Sequence, residues 1–265
     1  MSDRTAVVLV SGAFGLPAFY DGIVESLREK GIEMWVPHLL SVGLETGPRP
    51  GLLPTMYDDA ALIAKEITSL ANTGKDVIVM SHSYGGCPAT ESVKGLTKKE
   101  REAQGKQGGV VRLAYMAALI PAVGVAASGV LHDTPVENRI MMTMDENGWV
   151  SFDDPTEVAA ITLSDLPKEE QARWAKMYPT HSSASFDNEL THAGYKHVPV
   201  SYLVCEGDGT VTVNAQKEMI QLVESVTGNK VDVTTIKSGH VPIFSAPQDV
   251  VAWVVRLVEM NSPGR

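Results

Sequence analysis

The sequence predicts an α/β domain built on a doubly wound, mostly parallel sheet of about six strands, and three observations carry that prediction. Short β-branched runs alternate with amphipathic helical stretches, as in repeated βαβ units. The polar, glycine-containing stretches richest in chemistry follow the ends of predicted strands, where open α/β sheets place their sites. The 265 residues, 44% hydrophobic and 20% charged, suffice for one large core and hold no internal repeat or low-complexity block.

Residues 6–10 are the first predicted strand, and residues 16–30 a helix with Phe19, Ile23, Val24 and Leu27 on one face. A short strand covers 33–37, and a Gly/Pro-rich loop runs from His38 to about Pro54. The spacing of Ala60, Ile63, Ile67 and Leu70 predicts a helix over 58–70, followed by a third strand at 76–80 and a helix at 85–94. The charged, glycine-ended segment 97–109 is expected to be a solvated connection and nothing more, and 110–119 is the fourth strand.

The alternation then breaks. Residues 121–196 carry helix starts but few strand signals and read as a helical cap inserted over one end of the sheet, the core being 1–120 and 197–265. Asp154-Pro155-Thr156-Glu157 spells a helix start, and 166–177 is a second short helix. Strand character returns at 198–205 and 230–236, with a helix over 214–226 between them. The last helix opens with Ser245-Ala246-Pro247-Gln248, a capping-box spelling, and buries Val250, Trp253, Val254 and Leu257.

A net charge of -10 argues against nucleic acid and against an anionic membrane surface as partners. Neither a signal-peptide core nor a run of transmembrane length is evident, so a cytoplasmic location is expected. Cys87 and Cys205 lie in apolar contexts, as small core residues of a reduced protein would; a disulfide between them is the alternative. No zinc-type ligand spacing occurs, and no metal is expected.

Four strand ends hold the candidate chemistry. In "SHSYGG", Ser83 follows a strand and precedes a helix, as a nucleophile presented on a strained turn does. Such a turn needs small residues two positions either side; Gly85 meets the demand and Ser81 stands where a first glycine is usual. On these letters alone a serine in an ordinary tight turn is the rival. His240, after the last strand, is placed to act as general base, and a loop histidine is its bland reading. Asp208, just past the penultimate strand, is placed to fix the imidazole tautomer, with Glu206 as a competitor and a plain turn as the alternative. "VSGAFG" after the first strand lets backbone approach an oxyanion, with the amides of Ala13 and Tyr84 as donors. A dinucleotide loop needs G-x-G-x-x-G, which "SGAFGLPA" lacks. The three weak signals agree in chain order: Ser83, Asp208, His240 is the order expected of α/β-hydrolases.

With these residues in hand the chain resembles the α/β-hydrolase superfamily, and within it the branch of plant methylesterases, hydroxynitrile lyases and pyrethroid-type carboxylesterases. The resemblance spans nearly the whole chain and rests on "VLVSGAFG", "SHSYGG", "LVCEGDGTV" and "SGHVPIFSAPQ". Ser11-Gly12-Ala13 matches the branch's His-Gly-Ala type oxyanion motif, with serine replacing histidine, and the family carboxylate and base map onto Asp208 and His240. The lyases carry a lysine after the catalytic histidine and a threonine in the oxyanion loop; Val241 and Gly12 occupy those positions here, on the esterase side.

The resemblance implies a cofactor-free serine hydrolase acting on a small-to-medium hydrophobic ester or lactone. Relatives suggest a homodimer by analogy. The insertion would be the lid, bringing Leu131, Met141, Met142, Met144, Trp149, Trp174, Met177 and Tyr178, of which about a third are expected to face ligand. Phe14, Trp149, Trp174, Tyr178 and Val241 are the substrate-contact candidates; His132 and His181 have polarisation of a substrate as one reading and exposed loop histidines as the preferred one. Two rivals stay open: a non-hydrolytic lyase, isomerase or cyclase acting on a secondary metabolite, and a ligand-binding protein with a vestigial triad.

Overall fold

The computed structural model describes residues 4–131 and 134–261. In chain order its strands are β1 (Thr5–Val10), β2 (Glu33–Trp35), β3 (Asp76–His82), β4 (Gly109–Met116), β5 (Met142–Met144), β6 (Trp149–Phe152), β7 (His181–Ser182), β8 (Val200–Cys205) and β9 (Asp232–Ile236). The helices are α1 (Asp21–Glu29), α2 (Met56–Asn72), α3 (Gly86–Ser92), α4 (Lys98–Glu102), α5 (Pro155–Thr162), α6 (Lys168–Ala175), α7 (Ala184–Asp187), α8 (Val213–Thr227), α9 (Pro242–Ser245) and α10 (Pro247–Met260).

Six strands form one sheet in the order β2-β1-β3-β4-β8-β9, every neighbouring pair parallel. β1 and β3 are buried along their whole length, as strands covered on both faces must be. The chain winds from β1 outward to β2 and then returns to β3 on β1's other side. Right-handed crossovers therefore put α1 on one face and α2, α3 and α8 on the other. α10 packs against α1 and completes that face. The reversal between β1 and β3 makes the loops after these two strands diverge, opening a crevice at their carboxyl ends. Val10 pairs with Ser81 in register, so both loops leave the sheet at the same level.

Some helices start where a side chain satisfies free amides. Thr55 caps α2 in a capping box with Asp58, and Asp154 accepts from the amides of Thr156 and Glu157 at the head of α5, as its spelling predicts. Four expectations need correction. The helix expected at 16–30 is a 3-10 turn at Pro17–Tyr20 followed by α1. The segment expected to be a mere solvated connection contains α4, capped by Thr97 and Glu100. Its Arg101 is buried, bonded to the Gly108 and Gln107 carbonyls and to Asn72. Ser245 does not cap the last helix: Ala246 holds the cap position, and the Ser245 hydroxyl instead meets that of Ser238 at 2.9 Å. The excursion between β4 and β8 is not purely helical, since β5, β6 and β7 form a three-stranded antiparallel sheet within it.

Candidate active site

β3 runs straight into a sharp turn. Ser83 has φ 53°, in the left-handed region that side chains other than glycine's enter at a cost. The surroundings enforce it: the Ser83 carbonyl accepts the Leu119 amide at 2.9 Å, and α3 begins immediately after. A methyl group on Gly85 would lie 2.5 Å from the carbonyl oxygens of both Val10 and Ser11, so this turn closes only over glycine. Ser81 lies within β3, buried between its partners Val10 and Tyr115. There the chain asks only for a small side chain, which serine provides.

The turn delivers Ser83 to His240. The Ser83 hydroxyl lies 2.9 Å from His240 Nε2, and His240 Nδ1 lies 2.8 Å from Asp208 Oδ2. Asp208 Oδ1 accepts the amides of Thr210 and Val211, both at 2.8 Å, which fixes the carboxylate in the turn after β8. His240 and Asp208 are both buried, while Glu206, the competing carboxylate, is exposed. With Nδ1–H donating to Asp208, Nε2 is free to accept the serine proton, and the carboxylate favours the imidazolium that results. The loop carrying His240 is pinned from two other directions. The Gly239 amide donates to Asp165 at 2.5 Å, and the His240 carbonyl accepts His82 Nε2–H at 2.8 Å.

Three amides of the loop after β1 are engaged. Gly12 N–H donates to the Tyr20 hydroxyl at 3.1 Å, Phe14 N–H to His181 Nδ1 at 3.3 Å, and Gly15 N–H to the Gly12 carbonyl at 3.1 Å. Ala13 N–H, between the engaged amides of Gly12 and Phe14, has no partner among the described residues. Tyr84 N–H, at the head of the turn into α3, has none either. Two free donors beside a serine hydroxyl suit a developing oxyanion.

His181 is corrected from an exposed loop residue to a fully buried one. Pairing of β7 with β6, and an isolated bridge between Val42 and His181, draws it inside. There its ring contacts Phe14 and Tyr84, and Nε2 bonds the Ser185 hydroxyl at 3.0 Å. Desolvation lowers its pKa to about 3, so it stays neutral and accepts from Phe14. His132 lies outside the described residues.

A cavity of about 590 Å³ opens over the serine. Phe14, Tyr178 and Val241, three of the expected contact residues, line it, joined by Phe19, Phe152 and Phe244. Leu131, Met141 and Met142 also reach it. The two tryptophans do not. Trp149 is buried in β6, and Trp174 stacks on the outer face of the wall against Phe244, with ring centroids 3.9 Å apart. Met144 and Met177 are exposed.

Beneath the turn, Tyr84 donates its hydroxyl to Asp59, which also accepts from the amide and hydroxyl of Ser41. Burial pushes the Asp59 carboxyl up to about 6, outweighing the hydrogen bonds from Ser41 and Tyr84 that act the other way. A raised carboxyl favours the folded state most when protonated. Its contribution is complete below about pH 4 and is lost as pH rises through about 6. In Asp59→Asn this dependence disappears. The stability difference between wild type and variant, from urea unfolding, should change by on the order of 3 kcal/mol between pH 4 and pH 8. A difference that does not vary with pH contradicts the assignment.

The sequence pattern missed Tyr20, His82, Asp59 and Asp165. A histidine inside "SHSYGG" was the one visible signal, for His82; the others left none. Among the described residues no group of three His, Cys, Asp or Glu is arranged to hold a metal ion.

Residues 7–253 match the model of the Alpha/beta hydrolase family. The chain is 32% identical over 251 residues to the "Probable hydrolase R7" of Phoma sp., covering 93% of this chain and 96% of that protein. Two solved structures share the fold. A pyrethroid hydrolase from Sphingobium faniae JZ-2 superposes with a TM-score of 0.76 at 19% identity, over 97% of this chain and 99% of its own. A methylesterase from Arabidopsis superposes with a TM-score of 0.73 at 17% identity, again over 97% and 99%.

Proposed function

Because this chain belongs to the alpha/beta hydrolase family, we propose that it is a serine hydrolase cleaving small-to-medium hydrophobic carboxylic esters or lactones through an acyl-enzyme. The observation that carries this reading is the hydrogen-bonded line from Ser83 through His240 to Asp208, lying at the floor of an apolar cavity.

Ser83 attacks the carbonyl carbon as His240 takes its proton, and Asp208 stabilises the imidazolium. The oxyanion lies against the amides of Ala13 and Tyr84. Collapse of the tetrahedral intermediate expels the alcohol, which receives the proton from His240. Water then attacks the acyl-enzyme, giving up a proton to His240, and the acid leaves as Ser83 recovers its hydrogen. In a lactone the alcohol remains tethered to the acyl group, and one hydroxy acid is released.

The ring-lined wall of Phe14, Phe19, Phe152, Tyr178 and Phe244 suits an apolar acyl or alcohol group. Residues 121–196 would serve as the lid over it. Cys87 and Cys205 are both buried and unbridged, which suits a reducing cytoplasm.

Product analysis in H₂¹⁸O across a panel of esters and lactones tests the reading. Hydrolysis places one ¹⁸O in the carboxylate of the released acid. Turnover without label in any product would replace it with lyase, isomerase or cyclase chemistry on the same scaffold. Labelling of Ser83 by a fluorophosphonate with no turnover on the panel would replace it with ligand binding.

A further inference from the structure

A second hydrogen-bonded series runs beside the reacting one and meets it at His240. It begins at Gly12 N–H, which donates to the Tyr20 hydroxyl at 3.1 Å. The Tyr20 hydroxyl lies 2.9 Å from His82 Nδ1, and His82 Nε2 lies 2.8 Å from the His240 carbonyl. The two ends fix its direction, because an amide can only donate and a carbonyl can only accept. His82 must therefore carry its proton on Nε2, and Tyr20 must donate to Nδ1.

We propose that Tyr20 and His82 are positioning residues that lock the loop after β1 to the loop carrying His240, holding the oxyanion donor and the general base in one geometry. The inference rests on the serine-hydrolase reading above. Each end of the series touches a functional group at one remove. Gly12 precedes Ala13, and turning the Gly12 amide toward Tyr20 leaves the Ala13 amide as the donor facing the site. At the far end, His82 holds the backbone carbonyl of the base itself. His82 also directly precedes Ser83, so Tyr20 and this one imidazole join all three loops.

The ring of His82 packs 5.1 Å from that of His240, centroid to centroid, where a second positive charge would oppose the imidazolium formed in catalysis. Complete burial prevents this, lowering the His82 pKa to about 3. Tyr20 is equally buried, and desolvation holds its hydroxyl in the protonated form the series requires. Every hydrogen along this series is committed within it, since Gly12 N–H, Tyr20 O–H and His82 Nε2–H each donate to the next member, so its contribution to rate comes through alignment. Misplacing a reacting group by about 1 Å costs up to about 100-fold.

The test is steady-state kinetics on a p-nitrophenyl ester for Tyr20→Phe, His82→Leu and His82→Gln, with rates referred to folded protein. The amide of glutamine offers an acceptor and a donor spaced like the two ring nitrogens, so it can re-form the series, and leucine cannot. Expected are falls in kcat of about tenfold in Tyr20→Phe and about 10- to 100-fold in His82→Leu, with KM within about twofold, and recovery to within about threefold of wild type in His82→Gln. Unchanged kcat in the phenylalanine and leucine variants, with only thermal stability reduced, overturns the proposal. So does a glutamine variant as slow as leucine, or a change confined to KM. Acylation of Ser83 in the wild type is followed separately, so failure of the hydrolase reading is distinguishable from failure of this one.

Discussion

In Ser83→Ala, ester turnover falls by on the order of 10⁵- to 10⁶-fold in kcat, while the fold and its thermal transition stay close to wild type. The size of the fall follows from the removal of the one atom that forms the covalent intermediate. The intact fold follows from what remains. The Ser83 carbonyl still accepts from Leu119, and the turn still closes over Gly85. His240 keeps its bonds to Asp208 and, through its carbonyl, to His82. Residual activity above the uncatalysed rate is expected from the free amides of Ala13 and Tyr84, which remain in place to meet an oxyanion. Initial rates on p-nitrophenyl esters, alongside a thermal melt, check both halves; full activity in the variant excludes Ser83 as the nucleophile.

The second large effect is on folding. Gly85→Ala places a methyl group 2.5 Å from two backbone carbonyl oxygens at the end of β1. Backbone cannot move aside as a side-chain tip can, so either the turn or the start of the loop after β1 must shift. Overpacking of this kind costs about 3 kcal/mol, which lowers Tm by roughly 6–12 °C in a chain of this size. Activity falls further than stability does, because the shift separates the Tyr84 amide from the Ala13 amide. Gly22 supplies the control. It lies in α1, and an added methyl there meets nothing within 4 Å, so Gly22→Ala should stabilise by up to about 1 kcal/mol. Equal melting temperatures for the two variants would contradict the close approach.

The positions of the main strands and the order of Ser83, Asp208 and His240 were legible because both depend on local pattern. Buried parallel strands are continuous apolar runs, and each candidate sat just past one. What escaped depends on partners far apart in sequence. Tyr20 and His82 are 62 residues apart, and His82 and His240 are 158 apart. No spacing rule joins them. His181 looked like a loop histidine because its burial comes from pairing with β6 and a bridge to Val42. β5 escaped for the opposite reason: all three of its residues are exposed, so Met-Thr-Met shows no buried face to alternate. Ser245 carried the letters of a cap, but Ser238 lies within reach of its hydroxyl and takes it. Trp149 and Trp174 were expected at the ligand as apolar residues of the insertion. Only the packing of the β5–β7 sheet and of Phe244 places them outside the cavity.

Rapid-quench mass spectrometry of the protein during turnover of an activated ester tests the central claim most directly. The account predicts a transient mass increase equal to the acyl group, located on the peptide that contains Ser83, decaying at the rate at which free acid appears. Turnover that proceeds with Ser83 unmodified throughout, or with the acyl group on another residue, would contradict it.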